Sequence, residues 1–192
     1  PAAFAALERT ANRWVWPWHR MTSPAFGALA MDVTFSDMPA GRREPLLSTG
    51  APLRTNTLTV VALGPGRARL EFDHESHGGA IGPEFGFKPG HRHEMKIWLG
   101  SLLPPANHPW FDGVEAASVQ VQKQSTVVQL DGETIYGASG IPYDASPGQV
   151  MVGRRSTHYS DERPRFSGRI TQVRRIRDQP PIPGPTAPEE PL

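Results

Sequence analysis

The chain has 192 residues, with Gly 19 and Pro 21 making about one residue in five, no Cys, and a net charge of +1. That much Gly and Pro excludes a helical bundle and favours many short strands joined by turns. The lack of Cys excludes a disulfide framework, zinc–thiolate sites and thiol catalysis, and near-neutrality gives no global field for nucleic acid.

Residues 1–29 form an N-terminal segment with a helix-like run from Ala2 to Ala11. Trp14, Trp16 and Trp18 follow between Arg13 and Arg20. Such a cluster matches an aromatic belt beside a membrane segment; the alternative is rings packed on the domain's own surface. The sequence opens on Pro1, and it holds no signal peptide and no apolar run long enough for a membrane span. It is therefore expected to be a processed or excised piece without a span of its own.

Apolar and polar residues alternate from Met31 to Phe35, from Asn56 to Leu63 and from Arg67 to Glu75. Gly64-Pro65-Gly66 predicts a hairpin turn that pairs Ala62 with Ala68, Val60 with Leu70 and Leu58 with Phe72. That register leaves Thr57, Thr59, Val61, Arg69, Glu71 and Asp73 on a solvent face. Further strands are predicted at Glu94–Leu99, at Val119–Gln122, and on both sides of Asp131-Gly132, a type I′ turn signal. Gln149–Gly153 and Phe166–Ile176 supply the last two. Residues 178–192 hold six prolines, a polyproline-type tail or linker. The pattern predicts an all-β antiparallel sandwich or jelly roll with a short N-terminal helical segment.

Several pieces occur in a telling order. Pro45-Leu-Leu-Ser-Thr-Gly50 precedes Leu58-x-Val60 and Arg67-x-Arg69-Leu70-x-Phe72-Asp73. Then come Pro89-Gly90-x-x-His93-x-Met95-x-Ile97, Val128-x-Leu130-Asp131-Gly132, Val150-x-Val152-Gly153 and Phe166-x-Gly168-x-Ile170. Over residues 30–177 the chain resembles the laminin-G-like, concanavalin-A-like jelly rolls. The resemblance implies a non-catalytic binding or structural module for a glycan or envelope protein. It also implies an extracytoplasmic place in a larger, membrane-anchored or secreted bacterial protein, no nucleic-acid partner, and sometimes calcium. Gly168 is expected to let the last strand cross close to its neighbour.

Glu71-Phe72-Asp73-His74-Glu75 is the sharpest chemical signal, because three carboxylates at i, i+2 and i+4 of a strand share a face. It resembles the Glu-x-Asp-x-Glu strand of laminarinase- and lichenase-type glycoside hydrolases. That match implies Glu71 as nucleophile, Asp73 as the tuning carboxylate and Glu75 as acid/base of a retaining mechanism. Against it, residues four apart on a flat strand have Cα atoms about 13 Å apart, whereas retention needs carboxyls about 5–5.5 Å apart. For a binding module, Asp73, His74, His77 and the loop residue Trp110 are the candidate ligand contacts, Trp110 by stacking on a sugar ring. The alternative for Trp110 and Phe111 is to anchor their own loop.

His91 and His93 are spaced to share a metal, but no third ligand follows from the spacing; no metal site is assigned. Asp73, Asp112 and Asp144 are candidate calcium oxygens without a calcium-loop signature. Between Arg154 and Arg177 eight arginines meet only Asp161 and Glu162, either a solvated edge strand or a site for an anionic polymer or headgroup.

Overall fold

The computed structural model describes residues 25–75, 78–140, 142–155 and 165–178. The N-terminal helical run, Trp14, Trp16, Trp18, His77 and the tail beyond Asp178 lie outside the described residues.

Among the described residues, ten antiparallel strands form two five-stranded sheets. They are β1 (Ala28–Thr34), β2 (Arg43–Ala51), β3 (Arg54–Gly64), β4 (Arg67–His74), β5 (Gly78–Gly86), β6 (Arg92–Leu99), β7 (Ser125–Leu130), β8 (Glu133–Ser139), β9 (Val150–Val152) and β10 (Arg169–Ile176). One sheet runs β10-β1-β6-β7-β8 and the other β5-β4-β3-β2-β9. The inner faces meet in one core that includes Met31, Val33, Phe35, Leu58, Leu70, Ile97 and Tyr136. The alternating strands dictate this, since each offers one apolar row to the opposite sheet.

The β3–β4 hairpin has the register read from its alternation: Ala62 opposite Ala68, Val60 opposite Leu70, Leu58 opposite Phe72. Asp131 and Gly132 turn β7 into β8 with φ of 50° and 87°, the left-handed pair a type I′ turn requires. At Gly168 a Cβ would collide with the Thr34 carbonyl oxygen, so the approach to β1 does demand glycine.

Two expectations are corrected, and one strand is new. Val119–Gln122 lies within a helix, α1 (Ala116–Gln124). A strand would put Val119 and Val121 on one face, but here Val119 is buried while Val121 is 62% exposed. β5 was hidden because its glycines and Pro83 look like a break. It is an edge strand, where proline is tolerated, and a Cβ at Gly82 would strike the Tyr136 ring. The outer face of β3 and β4 is also not simply solvated: Thr57, Val61 and Glu71 are all buried.

Candidate functional site

Pairing across the second sheet places Ile81, Glu71, Thr59 and Pro45 in one row of its outer face. Gly79, Asp73, Thr57, Ser48 and Met151 form the next row. A groove of about 340 Å³ opens here, lined by Arg43, Pro45, Glu71, Asp73, Ile81 and Arg155 among others. Strand β4 supplies the two carboxylates, while Arg43 comes from β2 and Arg155 from the segment after β9.

Glu71 receives Arg43 Nη2 at 2.5 Å and Arg69 Nη2 at 2.7 Å. Burial alone would raise its pKa, but the hydrogen bonds from Arg69 and Arg43 win and hold the carboxyl below its ordinary value. It stays ionised at neutral pH and has no proton to give. Asp73 meets Arg155 at 2.9 Å, and both side chains are nearly half exposed. The neighbouring floor is polar, with the Ser48 and Thr57 hydroxyls 3.2 Å apart. Gly79 stands opposite Asp73 where a Cβ would strike the Phe72 carbonyl oxygen, and Ile81, 69% exposed, gives an apolar edge.

Glu75 belongs to different surroundings. Its Oε2 accepts from the Thr55 hydroxyl at 2.6 Å and the Thr55 amide at 3.3 Å, pinning the start of β3. Glu71 on its two guanidiniums and Glu75 on Thr55 thus have separate partners.

His74 faces away from Asp73, as adjacent strand residues must. It borders a second cleft of about 370 Å³ between the sheets, with Phe72, Ala80, Thr126 and Ser139. Its Nδ1 lies 2.8 Å from Asn56 Oδ1, and its ring stacks on Tyr143 at 4.1 Å. The Tyr143 backbone fixes the Asn56 amide, taking a bond from Nδ2 at 2.9 Å and giving its own N–H to Oδ1 at 3.0 Å. An acceptor at Oδ1 requires His74 to donate through Nδ1. Asn56 also donates to Thr49 Oγ1 at 3.0 Å, which in turn meets Ser101 Oγ at 2.7 Å. This buried network was missed from sequence, although Asn56 stands at an inward position of an otherwise apolar alternation, which was its signal.

Trp110 is not near the acidic strand. It lines a cleft of about 170 Å³ with Trp98, Phe111 and Ile176, beside the first sheet. Phe111 is buried, which fits the loop-anchoring alternative for that residue. The proposed calcium aspartates stay apart: Asp73 is with Arg155, Asp144 with Lys123 at 2.6 Å, and Asp112 ends a 3₁₀ turn. No group of three metal-ligating side chains occurs among the described residues. His91 precedes β6, whereas His93 lies in it and bonds Asp131. The arginines also scatter. Arg174 reaches Glu94 at 3.4 Å, Arg177 covers Trp110, and Arg175 gives Nη1–H to the Gly27 carbonyl at 2.8 Å. Burial lowers the Arg175 pKa to about 10.

No protein-family model matches the sequence, and neither does any curated protein. Solved structures do match. The native heptameric SAP-like pentraxin from Limulus polyphemus aligns at TM-score 0.50 and 9% identity, over 76% of this chain and 61% of the pentraxin. Domains LG4-5 of the mouse laminin alpha1 chain align at TM-score 0.41 and 11% identity, over 80% of this chain and 36% of theirs. The chain thus spans less than two thirds of either neighbour. At such identities the likeness speaks for fold alone, and the fold is a jelly-roll sandwich of two antiparallel sheets, as the sequence resemblance implied.

Proposed function

We propose that this chain is a non-catalytic binding module, residues 30–177, that recognises a glycan in the groove on the outer face of the β5-β4-β3-β2-β9 sheet. The observation that carries it is the half-exposed Asp73–Arg155 pair at this groove. A carboxylate next to a guanidinium offers an acceptor and several donors at neighbouring points. That suits two adjacent sugar hydroxyls, one donating to Asp73 and one accepting from Arg155. Pro45 and Ile81 provide apolar contact for ring C–H groups, and the small polar floor admits a ring without a deep pocket. The same position makes an envelope glycoprotein a suitable partner.

The module is not an enzyme in this reading. The Glu71 carboxylate is already bound by Arg43 and Arg69, and Glu75, which the hydrolase alternative makes the acid/base, is engaged with Thr55. We place it outside the cytoplasm, within a larger membrane-anchored or secreted protein. The aromatic N-terminal sequence and the Pro-rich end support this; no helix among the described residues is long and apolar enough to cross a membrane.

A glycan array followed by calorimetry tests the reading. One glycan class should bind, and Asp73→Ala or Arg155→Ala should each weaken it tenfold or more while the fold stays intact. Unchanged binding in both variants would remove the site from this groove. Release of reducing ends from any bound glycan, lost in Glu71→Gln, would replace binding by hydrolysis.

A further inference from the structure

The inner faces of the two sheets are filled unevenly where β5 and β8 come together. At one level β8 offers Tyr136 opposite Gly82 of β5, and a Cβ at Gly82 would strike that ring. The gap is closed there, with the Tyr136 hydroxyl on the Ala80 carbonyl. At the next inward level the two strands offer only Ala80 and Ala138. Ala80 pairs with Phe72 on β4, and Ala138 pairs with Thr126 on β7. Stacked sheets lie about 10 Å apart, and two methyl groups do not fill that distance. The result is the cleft of about 370 Å³ bordered by Phe72, His74, Ala80, Thr126, Ala138 and Ser139.

Thr126 says what such a cleft would take. The residue is 4% exposed, yet its hydroxyl has no hydrogen-bond partner among the described residues. No side-chain polar atom among them is both unpaired and sealed from solvent, so this hydroxyl opens into the cleft. A hydroxyl left unbonded in such surroundings costs free energy that a bound hydroxyl or carbonyl would recover. The other walls are apolar: Phe72, Ala80 and Ala138 all pack on the core. No Asp, Glu, Lys or Arg is among the described residues that line the cleft. A charged ligand would therefore lose hydration without gaining a counter-ion. Asn56 and the Tyr143 ring fix His74, so that wall is formed in advance.

We infer that this cleft is a second binding site, for a flat, uncharged, mainly apolar molecule whose hydroxyl or carbonyl meets Thr126. It opens between the sheets, whereas the proposed glycan groove lies on an outer face; Phe72 and Ala80 border both.

The test uses the full chain and 2-naphthol, with naphthalene as the ring without a hydroxyl and 2-naphthoate as the charged ring. Amide resonances report both the place and the strength of binding. 2-Naphthol should shift the Ala80, Thr126 and Ala138 amides and bind about fivefold tighter than naphthalene, the worth of one hydrogen bond. 2-Naphthoate should leave those amides in place. Thr126→Val keeps the shape and should bind both neutral probes equally, at a denaturant midpoint no lower than the parent's. Ala138→Leu fills the slot and should remove the shifts; should it not fold, Thr126→Val decides alone. Amides that 2-naphthol does not move in the parent would overturn the inference. So would a preference for 2-naphthol that survives in Thr126→Val, or shifts from 2-naphthoate as large as those from 2-naphthol.

Discussion

His93 Nδ1 lies 2.6 Å from Asp131 Oδ2, although 38 positions separate the two residues. The carboxylate can only accept, so His93 donates through Nδ1, and its Nε2 takes the Lys88 amide at 3.3 Å. Asp131 also accepts the Glu94 amide at 2.8 Å. The β7–β8 turn is thereby stitched to the start of β6, which explains why a histidine at the start of one strand and an Asp-Gly after another occur together.

This pair sets an acid limb of stability. Burial would raise the Asp131 pKa, but the bonds from His93 and the Glu94 amide bring it below its ordinary value. A carboxyl depressed in the folded state stabilises above its unfolded pKa and loses that contribution as pH falls through the folded one. Asp131→Asn keeps the left-handed turn, so its cost at neutral pH should be small, about 0.5 kcal/mol, for a half-exposed group. Urea titrations from neutral pH into the acid range should show the variant and parent converging as pH drops. A constant gap would show that the charge contributes nothing.

Glu44 supports the far edge of the same sandwich. Its carboxylate, 1% exposed, accepts the Ser167 amide at 2.7 Å, the Ser167 hydroxyl at 2.9 Å and Arg42 Nε at 3.0 Å. It holds the segment that carries Phe166 against the core. Glu44→Ala leaves those donors unmatched and should cost about 2–3 kcal/mol, while Glu44→Gln keeps an acceptor and should cost about half. Denaturant midpoints at unchanged m-value decide it.

The alternation of β3 and β4 was legible because a period of two with one buried face admits one register. The hidden parts share a cause. Thr57, Val61 and Glu71 read as solvent-facing because parity reports the face of a sheet, not what lies over it. Glu71 needed Arg43, from another strand, to be recognised as paired. Trp110 and Asp73 were grouped by residue type, yet a sandwich has two outer surfaces, and local sequence does not say which a loop will join.

Glu71→Gln measures the correction at that face directly. A solvated carboxylate would be replaced within about 0.5 kcal/mol. With Arg43 and Arg69 on a nearly buried carboxylate, the loss should be about 1–2 kcal/mol. Asp73→Asn, on the exposed pair, should stay within about 0.5 kcal/mol. Equal effects in the two variants would contradict the asymmetry.

Glycine positions separate close approach from mere turn preference. A Cβ at Gly100 would enter the Lys123 backbone at the end of α1, while one at Gly137 would meet nothing within 4 Å. Gly100→Ala should therefore destabilise by about 2 kcal/mol or more through forced backbone movement. Gly137→Ala should be neutral or gain about 0.5 kcal/mol from a less free unfolded chain. Thermal melts of the two variants, with matched enthalpies, check the pair. A tolerant Gly100 would mean that α1 can shift along the sheet.

Tyr136 gives the last test, from the alkaline side. Its ring is buried in the core, and its hydroxyl donates to the Ala80 carbonyl at 3.4 Å across the gap between β8 and β5. Burial pushes its pKa up from 10.0 to about 12. A phenol that binds its proton more tightly when folded stabilises fully below its unfolded pKa, and this is lost as pH rises toward the folded value. Between about pH 10 and 12, stability should decline by an amount that Tyr136→Phe abolishes. Phenolate absorbance offers a second readout on a chain with three tyrosines. A late phenolate step should be present in the parent and vanish in Tyr136→Phe. Should that late step be missing while the fold persists, the β5–β8 side of the sandwich is open to water and the Tyr136–Ala80 bridge does not close it.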